Sequence, residues 1–242
     1  MQTLSVDIGG THVKASVLGP RGRMIHERIQ AHTPHDLTPR GLVDIIAGLA
    51  QRLPHYDRVS AGFPGVVHDG VVRTAANLGT ERFAGFNLER ALAKRLGAPA
   101  RVCNDADMQG LGVIRGRGVE MVITLGTGFG TALFQNGRLA PHLELAHHNF
   151  RHDRTYEDEL GDAALKRVGR AAWLRRLVDA IAALRALTSF DHLYVGGGNS
   201  RLVKLRLPRD ITVVDNSAGI LGGVRLWRHG SEEARQQSRR KR

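Results

Sequence analysis

The stretch Asp7-Ile8-Gly9-Gly10-Thr11-His12-Val13-Lys14-Ala15 has a counterpart later in the chain, Thr124-Leu125-Gly126-Thr127-Gly128-Phe129-Gly130-Thr131-Ala132. Each reads as a strand, a turn rich in glycine and threonine, and a second strand. Each is followed at the same spacing by a turn ending in arginine, Arg21 and Arg138. Internal repetition narrows the fold more than composition does, because each copy must build the same local unit. Two halves that begin alike point to two related lobes around a cleft. Two unrelated glycine-rich hairpins would also look alike over so short a window.

Hydrophobic patterning fills in the elements. Leu4–Ile8 and Val13–Leu18 read as strands, with a third over Met24–Gln30. Thr38-Pro39 opens a helix that carries Leu42, Ile45, Ile46, Leu49 and Leu53 on one face. Val59–Phe63 is a strand, and Val66-Val67 and Val71-Val72 flank a hairpin turn at His68-Asp69-Gly70. A helix over Leu88–Leu96 stops at Gly97, Arg101–Cys103 is a strand, and a helix starts near Ala106. In the second half, strands are expected at Met121–Leu125, Thr131–Phe134, Leu193–Val195 and Ile211–Val214. Helices are expected at Asp158–Val168, Ala171–Leu187 and Ala218–Trp227. The mixture predicts an α/β class.

The 242 residues suit one large domain or two small lobes, and a 42% hydrophobic content supports a real core. No apolar run reaches the ~18 residues of a membrane span. The N-terminus enters Thr3-Leu4-Ser5-Val6-Asp7 without a signal-peptide pattern, and Cys103 is the single cysteine. Both features lead to the expectation of a cytoplasmic protein. The formal net charge is +12. Part of it lies in the last ~12 residues, a basic tail expected to be flexible and solvated. The remaining excess suits a polyanionic partner: nucleic acid, a membrane surface or a phosphate chain.

The glycines of Asp7-Ile8-Gly9-Gly10-Thr11 allow close backbone approach and can present N–H groups to an anion. Thr11 and Lys14 add side-chain donors. Asp7 repels phosphate directly and suits a magnesium ion, held through water. Thr127, Gly128 and Gly130 form the matching second turn. Gly196-Gly197-Gly198 follows a strand and is either a tight corner or a seat for nucleotide or further phosphate. Asn104-Asp105 lies at a strand end, where α/β proteins place ligands. Asp105 there can take a proton from an attacking alcohol or cap the following helix, and the two roles are compatible. Glu144 and His147, three residues apart, can both bond sugar hydroxyls. No zinc site is expected among His142, His147, His148 and His152, which lack nearby cysteines. The loop with Arg151 and Arg154 is either an exposed basic surface or a track for phosphates.

Taken in order, Val6–Thr11, Asn104-Asp105, Leu125–Gly130 and Glu144-Leu145-Ala146-His147 resemble the repressor/open-reading-frame/kinase (ROK) sugar kinases. Gly62-Phe63-Pro64-Gly65-Val66-Val67, Thr74-Ala75-Ala76-Asn77-Leu78, Asn104-Asp105-Ala106-Asp107 and Gly196-Gly197-Gly198 are similar to the polyphosphate glucokinase branch. The resemblance implies an actin-like ATPase (ribonuclease H-like) fold, divided as an N-terminal lobe over residues 1–106 and a C-terminal lobe over 107–242. It implies transfer of a phosphoryl group from polyphosphate or ATP, with Mg2+, to the 6-hydroxyl of glucose. Another hexose, mannose or fructose, and a catalytically weak sugar-binding regulator are the alternatives.

By position, Asp105 matches the family's base. Gly62, Pro64, Gly65, Asn77, Asn104, Glu144 and His147 match its hexose-binding residues. Asp7, Gly9, Gly10, Thr11 and Lys14 match one phosphate segment, and Thr127, Gly128 and Gly130 the other. Gly197 and Gly198 match the part beside the nucleotide in ATP-using members. A homodimer is implied. Neither membrane nor nucleic acid is an expected partner, as no helix-turn-helix domain precedes Asp7. Ala146 replaces the family's usual glycine, so an altered local turn is expected.

Overall fold

The computed structural model describes residues 1–76, 78–215 and 218–227. The chain divides into two compact units, one made of Met1–Gly112 and the chain from Gly219 onward, the other of Val113–Ala218. Both mix strands and helices, in keeping with the α/β class. The expected lobe boundary at 106/107 falls inside a helix, Asp105–Val113, and the chain changes unit at the end of that helix. It also changes back at Gly219, a return that carries no local sequence signal. The basic tail and Asn77 lie outside the described residues.

In the first unit, β1 (Thr3–Ile8), β2 (His12–Leu18) and β3 (Ile29–His32) form an antiparallel meander. Helix α1 (Pro39–Ala50) follows, then β4 (Arg58–Phe63), parallel to β1. A small hairpin of β5 (Val67–His68) and β6 (Val71–Val72) leads to α2 (Thr80–Phe83) and α3 (Leu88–Leu96). Strand β7 (Ala100–Asn104) is parallel to β4 and runs into α4 (Asp105–Val113). The sheet order is β3-β2-β1-β4-β7.

Local chemistry explains these elements. Thr38 accepts a hydrogen bond from the Gly41 N–H at 3.1 Å, a cap contributing about 1 kcal/mol, and Pro39 suits the first helical turn. Leu42, Val43, Ile46 and Leu49 then bury the inner face of α1 against Leu4, Val6 and Ile8 of β1 and their neighbours. Residues 219–227 also pack on this sheet. The Ser5 and Ser60 hydroxyls each donate at 2.7 Å, to the carbonyls of Ile220 and Gly223. Trp227 donates its indole N–H to Ser60 Oγ at 2.8 Å and lies 5.1 and 4.5 Å from the guanidinium carbons of Arg58 and Arg101.

The second unit begins with β8 (Val119–Leu125), β9 (Phe129–Gln135) and β10 (Arg138–Leu139), again antiparallel. A single 3-10 turn, Leu145–His147, precedes the hairpin of β11 (Asn149–Arg151) and β12 (Arg154–Thr155). Helices α5 (Tyr156–Leu160) and α6 (Asp162–Thr188) lead to β13 (His192–Gly196), and β14 (Ile211–Val213) closes the sheet. The order is β10-β9-β8-β13-β14, with the same strand directions as in the first unit. The likeness seen in the two hairpins therefore extends to all five strands of each sheet.

Two expected elements are placed differently. The third strand is Ile29–His32 rather than Met24–Gln30, because its register is set by pairing with β2, His12 opposite His32. Met24 and Ile25 are left 40% and 45% exposed. The helix expected over Asp158–Val168 is interrupted at Gly161, whose extended backbone separates α5 from α6. Within α6, Gly169 at φ 74° marks a kink. Among the described residues no helix is long and apolar enough to cross a membrane.

Candidate active site

In the first unit, the predicted residues gather at the carboxyl ends of the parallel strands. Asp7 ends the pairing of β1 opposite Gly62 of β4, and β4 pairs with β7 up to Phe63 opposite Asn104. Asp105 is the next residue, half-buried, and opens α4. Gly62 fixes its place: a Cβ at 62 would stand 3.1 Å from the Asp105 Cα and 3.0 Å from the end of Met108. A glycine lets β4 come this close to the Asp105 backbone without displacing it.

Asn104 carries most of the capping anticipated for Asp105. Its Oδ1 accepts from the N–H groups of Ala106 at 2.8 Å and Asp107 at 3.3 Å, and its Nδ2 donates to the Gly65 carbonyl at 3.1 Å. Asp105 Oδ1 also accepts from the Ala106 N–H, at 2.8 Å. Both ends of the buried Asn104 amide are therefore engaged, tying the Gly62–Gly65 loop, Pro64 included, to the start of α4. The neighbouring Cys103 thiol is pushed well up, first by burial and then by the Asp107 and Asp105 carboxylates, so it is no nucleophile near neutral pH.

The first glycine turn is more open. Gly9 donates to the His12 carbonyl at 3.0 Å, while Gly10 and Thr11 are exposed. Thr33 anchors the turn from β3's side, donating its hydroxyl to the Gly9 carbonyl at 2.9 Å and its N–H to the Thr11 carbonyl at 2.9 Å. Lys14 Nζ lies 3.5 Å from Asp7 Oδ2, so cation and carboxylate stand together beside the turn.

In the second unit, Gly126–Gly130 occupies the matching place. Thr124 stands where the first unit has Asp7, and its hydroxyl accepts from the Gly130 N–H at 3.1 Å. The turn is braced by the Asp162 N–H, which donates to the Gly126 and Thr127 carbonyls at 3.0 and 3.3 Å, and by Glu157 Oε2, which accepts from the Phe129 N–H at 3.3 Å. Thr127 stays exposed. Gly197, at φ 86°, lies against this turn's strand: a Cβ there would be 2.4 Å from the Leu125 carbonyl oxygen. The Gly197–Gly198 corner thus abuts the second glycine turn, and Asn199 joins them by donating to the Gly126 carbonyl at 3.5 Å.

Glu144 precedes the 3-10 turn that contains Ala146 and His147. Ala146 is buried there without a left-handed φ, so this turn takes an ordinary residue in place of glycine. His142 Nε2 lies 3.1 Å from Glu144 Oε1, and His147 Nε2 lies 3.7 Å from Oε2. The hydrogen bond from His142 outweighs burial, and with the two imidazoles it holds the Glu144 carboxyl below its usual range. His142 is a partner the sequence reading missed. Residues two apart share a face only in a strand, and 142–144 lie in neither strand nor helix, so no periodic pattern in the sequence flags the pair.

Arg151 and Arg154, read as exposed surface or a phosphate track, are engaged inside this unit. Together with Arg167 and Arg176 they approach the buried Glu159, at N···O distances of 4.0, 3.7, 3.8 and 3.0 Å. Arg151 also reaches Asp179 at 3.3 Å.

Residues 3–143 match the sequence profile of the ROK family. The chain belongs to the ROK family. Among ROK and related sequences, it is 29% identical over 235 residues to a polyphosphate glucokinase of Mycobacterium tuberculosis (strain ATCC 25177 / H37Ra), covering 90% of this chain and 88% of that protein. The solved structure of an inorganic polyphosphate/ATP-glucomannokinase from Arthrobacter sp. strain KM is similar, with 30% identity, a TM-score of 0.84 and coverage of 93% of this chain and 97% of that one. A ROK family glucokinase from Streptomyces griseus, in complex with glucose and AMPPNP, superposes with a TM-score of 0.75 over 93% of this chain and 99% of its own, at 20% identity. The fold of this ROK chain is the actin-like ATPase fold.

Proposed function

We propose that the chain transfers the terminal phosphoryl group of polyphosphate or ATP to the 6-hydroxyl of glucose, with Asp105 as the base. At the coarser level the chain is a sugar kinase, a phosphotransferase of the glucokinase type. The setting of Asp105 carries the finer reading. It is a half-exposed carboxylate at the carboxyl end of a parallel strand, its backbone gripped by Gly62 on one side and the Asn104 cap on the other. A general base must be placed within hydrogen-bond reach of its proton, and rigid support on both sides is how such placement is maintained.

Asp105 takes the hydroxyl proton as that oxygen bonds to the terminal phosphorus. The bond from phosphorus to the rest of the donor breaks, releasing ADP or a phosphate chain one unit shorter. Asn104, assigned to the hexose as well, also holds Asp105 and the Gly62–Gly65 loop. Glu144 and His147 are assigned to hexose hydroxyls, with Asn77 and the loop around Pro64 in the same class. The first phosphate segment is Gly9, Gly10, Thr11 and Lys14, and the second is Thr127, Gly128 and Gly130, with Gly197 and Gly198 on the donor side.

Among the described residues no cluster of three or more His, Cys, Asp or Glu side chains could hold a metal ion. A single part-exposed carboxylate beside an open glycine turn fits magnesium, which commonly takes one protein carboxylate and completes its shell with water and substrate phosphates. Asp7 would hold it, through water. When bound, magnesium supplies neutralising charge to the transferring phosphoryl group. A homodimer completes the proposal.

The test is Asp105→Asn assayed with glucose. The rate is expected to fall roughly 10²–10⁴-fold, with the melting temperature little changed. A near wild-type rate overturns the assignment. Assaying ATP and polyphosphate separately against glucose, mannose and fructose fixes the donor and the sugar.

A further inference from the structure

Two sets of cations in the second unit contrast. Arg151, Arg154, Arg167 and Arg176 converge on Glu159. Arg201, Lys204, Arg206 and Arg209 do not: all are exposed, the segment between 201 and 209 holds no acidic residue, and among the described residues none of their side chains has an ion pair or hydrogen bond. The segment itself is fixed. Val203 is buried in the second core, and Leu202 and Leu207 pack against it. Arg170 Nε donates to the Leu202 carbonyl at 3.2 Å, which brings a fifth cation to the same strip.

Its course matters as much as its charge. The segment leaves the Gly197–Gly198 corner at the carboxyl end of β13, through the 3-10 turn Gly198–Leu202. It arrives at the amino end of β14, where the Leu193 N–H donates to the Asp210 carbonyl at 2.8 Å. Because β13 and β14 are parallel, it must run back along the length of β13, about 16 Å at ~3.3 Å per residue. The segment that carries the cations therefore begins beside the glycine corner and follows a line away from it along β13. A triphosphate is too short to follow such a line, whereas a linear phosphate polymer carries a charge at every repeat.

We propose that Arg201, Lys204, Arg206 and Arg209 bind the trailing part of a polyphosphate chain whose terminal phosphate lies at the second unit's glycine turns. This rests on the donor reading above. It assigns the polymer's length preference to a strip distinct from the Arg151–Arg154 hairpin.

The experiment compares the wild type with a variant carrying Arg201→Gln, Lys204→Gln, Arg206→Gln and Arg209→Gln. Glucose phosphorylation is measured with ATP, tripolyphosphate and long-chain polyphosphate, and binding of long-chain polyphosphate is measured at two salt concentrations. In the variant, KM for the long chain is expected to rise roughly tenfold, towards that of tripolyphosphate, and the salt dependence of binding to flatten. KM and kcat with ATP are expected to change less than about twofold, because a triphosphate reaches at most the first of the four cations. A second variant removes the same charge from the first unit, through Arg21, Arg23, Arg28 and Arg52 to Gln, and is expected to leave the long-chain KM unchanged. Arg206→Gln and Arg209→Gln made singly keep the test open if the fourfold variant folds poorly. An unchanged long-chain KM in a folded strip variant overturns the strip alone. A matching rise in the first-unit variant also overturns it. A wild type that uses ATP and no polyphosphate of any length overturns the donor reading and the strip together.

Discussion

Ser5 and Ser60 sit side by side on β1 and β4 of the first sheet, and at the corresponding register of the second sheet stand Val122 and Tyr194. The two serines are buried and donate to backbone carbonyls of the chain that returns after the second unit. Tyr194 instead donates its hydroxyl to Glu120 at 2.8 Å, a carboxylate that also accepts from the N–H groups of Arg115, Gly116 and Arg117. Burial, and then that bond, push the Tyr194 hydroxyl up to about 12. At this register the same five-strand scaffold thus carries two neutral hydroxyls bonded to backbone in one unit and a tyrosine bonded to a buried carboxylate in the other. The strand ends diverge in the opposite sense. The first unit places Asp7 and Asp105 there, while the second has Thr124 at the place of Asp7. Ionised groups brace the frame of the second unit, whereas at the strand ends of the first they are the groups proposed for the chemistry.

Glu159 breaks this contrast most forcefully. Replacing it with Gln leaves Arg151, Arg154, Arg167 and Arg176 facing one another without their shared anion. Loss of one partner from a buried ion pair costs about 3–5 kcal/mol, so urea unfolding should shift by that order. Hydrogen exchange should rise in the second unit and stay low in β1, β4 and β7. Equal loss in both units would mean that the network supports the whole chain. Gly62→Ala probes the first unit's strand ends. The added methyl must move the Asp105 backbone or Met108 by a few tenths of an ångström, so kcat should fall roughly tenfold with a small change in KM for glucose. Unchanged kcat would show that the close approach is packing alone.

Acid sharpens the comparison more gently. In the second unit Glu120, Glu144, Asp158, Asp162 and Asp210 are all held below their ordinary range. In the first unit the exposed Asp57 shares that direction. For Glu120, burial works upward but is outweighed by the Arg115, Gly116 and Arg117 N–H groups and the Tyr194 hydroxyl. A lowered folded pKa gives stability that is fully present above the unfolded value. It is lost as pH falls through the folded one, beginning below roughly pH 4.5. Exchange followed from neutral pH downward should therefore show the second unit opening first. Opening of the first unit ahead of it would refute the assignment.

Much of the frame was legible because it rests on local rules. Thr38-Pro39 and Gly97 bound their helices where capping chemistry predicts. Asn136 and Gly137 both take positive φ, as the hairpin requires. The glycine turns were legible as turns, and Asp105 as a strand-end carboxylate. What escaped depends on distant partners. Asn104's amide reaches Gly65, Glu159 collects arginines from three elements, and β3 takes its register from β2. The Arg151–Arg154 and Arg201–Arg209 segments look alike in sequence, since only the fold decides which cations meet a carboxylate.

The returning segment has a consequence for synthesis. The carbonyls that satisfy Ser5 and Ser60 belong to Ile220 and Gly223, which follow the entire second unit in the chain. During translation the first sheet can pair its strands early, yet two of its buried hydroxyls must wait until the second unit has been made. The opening strands of the chain are thus among the last to be finished, and a nascent chain stalled before residue 218 would present an unsealed sheet to the quality-control machinery of the cell.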